Sequence, residues 1–137
     1  MEPTRVIDKV AWVLLADGRV LAARSHGKDV FYFPGGKREA GESDLDTLAR
    51  EVREELTVEI DRSSAEHFGT FEAEAHGRQA DVLVRMTCYT ADYQGTLAPS
   101  AEIAELAWLD YGDRDRASRV VQIILDHMVA AGLVRRP

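Results

Sequence analysis

The chain has 137 residues, 45% hydrophobic and 30% charged, the size and makeup of one folded domain and not of a disordered or fibrous chain. Its formal net charge of -7 argues against general affinity for long nucleic acid or an anionic membrane surface, although a local cation can invert the sign of a single site. Its one cysteine, Cys88, excludes an intrachain disulfide or a thiolate metal cluster, and its place in an alternating run reads as a buried structural thiol.

Val6 to Ala16 is expected to form the first strand, with the near-continuous apolar run Val10–Leu15 indicating cover on both faces. Asp17-Gly18 signals a hairpin, and Arg19 to Arg24 is the return strand. A polar loop over 25–29 leads to a short aromatic strand, Val30 to Phe33, which ends at Pro34-Gly35-Gly36, where backbone must approach something closely or adopt positive φ. From Asp44 to Leu56 the period becomes helical: Leu45, Leu48, Ala49, Val52 and Leu56 make one stripe, with Ser43 or Asp44 as N-cap. Strands are expected at Thr57–Ile60, Phe68–His76, Ala80–Tyr93 and Ile103–Leu109, with turns near Gly77 and Gly95. A charged connection over 112–116 precedes a C-terminal helix from about Ala117 to Ala131, packed through Val120, Val121, Ile124, Leu125 and Met128 and stopped at Gly132. Without repeats, low-complexity segments or a linker, residues 1–137 read as a single domain. No apolar run approaches the roughly 20 residues that span a bilayer, and the N-terminal stretch carries no leader-cleavage pattern, so the expected location is the cytoplasm.

The segment Phe33–Ile60 concentrates the chemistry. A helix turns about 100° per residue, which puts Glu54 about 60° to one side of Glu51 and Glu55 about 40° to the other, so three carboxylates share an arc of roughly 100° beside the apolar stripe. Converging carboxylates repel and raise each other's pKa, and a hard divalent cation with oxygen ligands reverses that cost. A solvated acidic face with intrahelical ion pairs is the alternative for a bare E-x-x-E-E.

The surrounding residues go further. Gly36, Glu42, Arg50-Glu51, Val52, Glu54-Glu55 and Val58 occur at spacings that resemble the Nudix hydrolase box, G-x5-E-x7-R-E-U-x-E-E-x-G-U with U a bulky aliphatic residue. The box covers about one-sixth of the chain, and the strand–helix order resembles the Nudix α/β/α sandwich over nearly its whole length. Thr57 stands where the family usually has glycine. A β-branched residue in the left-handed region costs about 1–2 kcal/mol, so Thr57 is expected in ordinary β-region or helical dihedrals.

The resemblance implies an α/β fold with a mixed β-sheet between helices. It also implies a pyrophosphohydrolase that cleaves a nucleoside diphosphate linked to another moiety: a nucleoside triphosphate, damaged or not, ADP-ribose or a nucleotide sugar. The implied cofactor is Mg2+, with Mn2+ as substitute, which neutralises phosphate charge and acidifies a bound water. By similarity, Glu51 and Glu55 are metal ligands, Glu54 is a ligand or its close neighbour, and the Gly35 carbonyl is a candidate ligand. Arg50 orients a glutamate, Gly36 shapes the turn, and Glu42 braces the loop against the helix. The general base is either a box glutamate or an acid from the stretch before Trp108, where Glu102 is preferred to Glu105 because Glu105 falls within the expected strand. Arg24, Lys37 and Tyr32 are candidates for substrate binding. Phe31, Phe33, Trp12 and Trp108 are assigned to the core, and His26, His67, His76 and His127, without ligand spacing, to loops or surface. The partner is a small nucleotide, the alternative function is a Nudix domain that senses nucleotide without cleaving it, and homodimerisation is left open.

Overall fold

In the computed structural model, residues 5–75 and 81–136 are described. The apolar run at the start of the chain sits between two cores. Val10 and Trp12 join one hydrophobic cluster, while Ala11 and Val13 join the other. Alternation along a strand sends successive side chains to opposite faces, so an unbroken apolar run is what a strand covered on both sides requires.

This run belongs to β1 (Arg5–Trp12), followed by β2 (Leu15–Ala16), β3 (Arg19–Ser25) and β4 (Gly35–Lys37). Helix α1 (Asp44–Leu56) leads to β5 (Glu59–Ile60), β6 (Glu66–Glu74), β7 (Val82–Thr90), β8 (Tyr93–Gln94), β9 (Ile103–Leu109) and α2 (Arg119–Ala130). The central sheet has the order β4-β1-β7-β6, with β1 parallel to β7 and the other pairs antiparallel. A second sheet, β2-β3-β9, is antiparallel, and β5 pairs with β8. Helix α1 packs on β1, β4 and β5, and α2 on β6 and β7. The stripe Leu48, Ala49, Val52 and Leu56 enters the Val10/Trp12 cluster, whereas Val120, Val121, Ile124, Leu125 and Met128 enter the Ala11/Val13 cluster. The result is a mixed sheet between helices, the expected α/β/α sandwich. No helix among the described residues is long and apolar enough to cross a membrane.

Several local expectations are corrected. The first strand does not run unbroken to Ala16: at Val13–Leu14 the chain leaves β7 and passes to the second sheet, where Leu15 pairs with Val20. Val30–Phe33 makes only isolated bridges, Tyr32 with Ala23 and Phe31 with Ala117, the latter to the short segment 116–118 that enters α2. The strand expected from Thr57 begins at Glu59, and 111–116 forms a 3-10 turn. Trp108 is 37% exposed on β9, the edge strand of the second sheet, whereas Trp12, Phe31 and Phe33 are buried. Cys88 is buried, and burial pushes its thiol up to about 12. The turn at Gly77, His76 and the start of the Ala80 strand lie outside the described residues.

Thr57 is the sharpest correction. It takes φ 63°, ψ 25°, the left-handed conformation a glycine would adopt. Its N–H donates to the Arg53 carbonyl at 3.1 Å, and its Oγ1 donates to the Thr96 carbonyl at 3.1 Å. The side-chain bond, worth about 1 kcal/mol, offsets about half or more of the roughly 1–2 kcal/mol of steric cost. Thr57 thereby keeps the glycine-type helix end.

Candidate active site

Helix α1 begins at a capping box, with Ser43 Oγ accepting from the Asp46 N–H and Asp46 accepting from the Ser43 N–H, each at 3.1 Å. From this start, Glu51 and Glu55 fall one turn apart on the edge of the helix that faces β4. The double-glycine turn lets that edge come close. A Cβ on Gly35, whose φ is 147°, would lie 2.0 Å from the Val10 carbonyl oxygen, and one on Gly36 would lie 2.5 Å from the Glu51 carboxylate carbon. Gly35 therefore lets β4 lie on β1, and Gly36 lets the Glu51 carboxylate lie on β4.

Glu55 is only 7% exposed, and its Oε1 accepts the Gly35 N–H at 3.1 Å. Burial pushes its carboxyl up to about 8, the Gly35 hydrogen bond pulling against this and the charges of Glu51 and Glu102 adding to it. Glu51 is also raised, first by burial, with Arg50 opposing. Arg50 donates to Glu51 at 2.7 Å and forks onto Glu42 at 2.7 and 2.9 Å, while reaching the Lys37 carbonyl at 3.2 Å. Glu42 also accepts from Thr47 Oγ1 and the Glu39 N–H, and these bonds, Arg50's first, pull it down to about 2. Arg50 and Glu42 thus tie the loop 37–42 to the helix, and Arg50 holds one Glu51 carboxylate oxygen.

Glu102 arrives from the far end of the chain. The segment 98–102 closes the C-terminus of α1: the Ala98 N–H donates to the Leu56 carbonyl at 3.1 Å and the Ser100 N–H to the Glu55 carbonyl at 2.9 Å. Ala101 turns at φ 55°, and the His26 N–H holds the Glu102 carbonyl at 2.8 Å beside a register shift between β3 and β9. One carboxylate oxygen each from Glu51, Glu55 and Glu102 lies within 4.8 Å of the others. Glu105 lies in β9 and binds Arg24 at 2.7 Å.

These groups border a cleft of about 590 Å³ that also includes Gly35, Lys37, Tyr32 and Lys9. Arg24, a substrate candidate from sequence, does not line it and is held by Glu105. Glu54 stays outside the oxygen cluster, 54% exposed and 3.7 Å from Arg50. Its 100° arc with Glu51 and Glu55 is real, but β4 and the 98–102 loop cover only one edge of that arc. Lys9 was missed in sequence, although its place at the head of the apolar run was a legible signal. Arg38, tied to Asp8 and Asp44, and Asp44, which accepts from the Tyr89 hydroxyl at 2.7 Å, were also missed and anchor the box loop to β1 and β7. The oxygen-only donor set, with two of its carboxyls raised by their surroundings, fits a hard divalent cation.

Residues 6–124 match the NUDIX domain family model. The chain is 32% identical to the CTP pyrophosphohydrolase of Escherichia coli K12, over 76% of this chain and 76% of that protein. The solution structure of the E. coli ORF135 protein superposes with a TM-score of 0.72 at 27% identity, covering 93% and 91% of the two chains. A MutT NUDIX hydrolase from Burkholderia pseudomallei, at 20% identity and a TM-score of 0.68 over 88% and 96%, shares the fold. The chain belongs to the Nudix family. It is a Nudix hydrolase, an enzyme that acts on phosphoric anhydride bonds.

Proposed function

We propose that the protein is a divalent-cation-dependent pyrophosphohydrolase of a small nucleotide, with Mg2+ as the working ion and Mn2+ as its substitute. The observation that carries this reading is the convergence of Glu51, Glu55 and Glu102 within 4.8 Å at the edge of a cleft that also presents Lys37. Glu51 and Glu55 hold the ion, with the Gly35 carbonyl as a further candidate ligand. When bound, the ion supplies charge neutralisation for the phosphates and lowers the pKa of water. Arg50 aims Glu51 and opposes the upward pull of burial on its carboxyl, and Lys37 meets a phosphate. Glu102, exposed and ordered by its backbone, accepts the proton of the attacking water. A nucleoside triphosphate is the favoured substrate, supported by the similarity to a CTP pyrophosphohydrolase.

A panel of nucleoside triphosphates, ADP-ribose and nucleotide sugars, assayed for phosphate-containing products with and without Mg2+, tests the reading. Ion-dependent cleavage of at least one compound is expected. Tight binding without turnover on any of them would instead make the domain a nucleotide sensor. Within an active enzyme, Glu102→Gln is expected to lower kcat by about 10²–10⁴-fold, the usual range for a positioned proton acceptor, and Glu105→Gln by much less. Near-normal turnover in both variants would remove the remote-acid role.

A further inference from the structure

The cleft contains cations whose charge is already matched and cations whose charge is not. Arg50 is taken up by Glu42 and Glu51, and Arg38 by Asp8 and Asp44. Lys9 is different. Among the described residues no carboxylate forms a salt bridge with it, and its Nζ instead stands 5.5 Å from the centroid of the Tyr32 ring. An ammonium set against an aromatic face still has N–H donors directed away from the ring, where an anion can accept them.

Its position is set by strand pairing. Lys9 of β1 lies opposite Lys37 of β4, and both side chains line the cleft that holds the carboxylate cluster. Lys9 and Tyr32 also line a second cavity of about 180 Å³, so the pair forms the seam between the two. Burial first, and the neighbouring Lys37 second, hold the Lys9 ammonium below its ordinary 10.5, while Glu55 and Glu51 act in the opposite sense. A half-buried cation facing another cation, and held in no salt bridge among the described residues, gains from an incoming phosphate what a surface lysine would not.

We propose that Lys9, seated on the Tyr32 ring at the seam of the two cavities, is a substrate-binding residue that grips a phosphate of the polyphosphate chain together with Lys37. The inference rests on the reading of the cleft as a phosphoric-anhydride site and adds to it the residue that offsets the repulsion between substrate phosphates and the carboxylate cluster. Because the grip is equal before and during reaction, its loss raises KM more than it lowers kcat.

The test compares Lys9→Met, which keeps the length of the stem, with Lys9→Arg, which keeps the charge. On the best substrate of the panel, Lys9→Met is expected to raise KM about tenfold with kcat within about threefold, and Lys9→Arg to stay within about threefold of wild type. Titration calorimetry with inorganic pyrophosphate in Mg2+ buffer reads the same loss without turnover, so Lys9 is judged even if no nucleotide is cleaved and the catalytic reading fails. Tyr32→Leu, which removes the ring support, should give a smaller weakening of pyrophosphate binding and serves if Lys9→Met does not fold. Mn2+ binding in the absence of nucleotide should be unchanged in Lys9→Met. Unaltered pyrophosphate affinity in Lys9→Met, or in Tyr32→Leu when it must stand in, would overturn the proposal. So would a Mn2+ affinity shifted as far as the pyrophosphate affinity, since Lys9 would then act through the carboxylates.

Discussion

Helices α1 and α2 cover opposite faces of one sheet and treat charge in opposite ways. The buried positions of α2 are Val120, Val121, Ile124, Leu125 and Met128, with no carboxylate among them. On α1 the buried set Leu48, Ala49, Val52 and Leu56 is accompanied by Glu55. The same ridge of apolar packing that stabilises the α2 side serves on the α1 side to hold an acid where water cannot solvate its charge. Apolar packing is what makes the site: it sets the positions of Glu51 and Glu55, and it leaves a charge on Glu55 in need of a cation.

The contrast can be broken most severely at Glu55. Glu55→Gln is expected to reduce turnover by more than the roughly 10–100-fold typical of groups that merely support a ligand, whereas Glu54→Gln, on the exposed edge of the same helix, should change it by less than about tenfold. Equal losses in steady-state assays would mean that the cluster extends to Glu54.

The pH dependence of the metal-free protein carries the same contrast. In the folded chain Glu55 loses its proton only near pH 8, against an ordinary value of 4.5. Between those values the folded state retains a proton that the unfolded state has released, so stability falls as pH rises through about 4.5 to 8 and levels off above. Urea midpoints in chelator at pH 5 and pH 8 should show this fall, and Glu55→Gln should flatten much of it. A midpoint that rises over that interval in the wild type would contradict the burial of Glu55.

On the other face, Leu125→Ala is expected to cost about 2–5 kcal/mol of stability through its cavity, with kcat per folded molecule unchanged. A loss of kcat in the folded variant would show that α2 also shapes the site. The smallest effect is expected at the helix end, where Thr57→Gly relieves left-handed strain but loses the bond to Thr96. Denaturation should show a net change below about 1 kcal/mol, and a shift beyond 2 kcal/mol in either direction would mean that one of those two effects has been misjudged.

Thr57 also shows where local reasoning reached its limit. Propensity argued against a left-handed β-branched residue, and the tertiary partner that supports it, the Thr96 carbonyl, lies 39 residues away along the chain. Trp108 failed for a related cause: it was assigned to the core as a large aromatic residue, but its strand, β9, lies at the edge of its sheet, which only the strand order decides. By contrast the span and buried face of α1 were legible, because its period, N-cap and apolar stripe are all local signals.

The amino-acid sequence by itself determined the reaction class, since the box is a run of fixed spacings along one turn and one helix. It also determined the two-sided cover of β1, which an unbroken apolar run demands. Only the tertiary structure decided which of the candidate carboxylates meet. It drew Glu102 in through backbone hydrogen bonds to the end of α1, left Glu54 in solvent, gave Arg24 to Glu105, and set Lys9 opposite Lys37. Spacing along a helix specifies direction, but convergence depends on what packs against each edge, and that is a property of contacts between residues far apart in the chain.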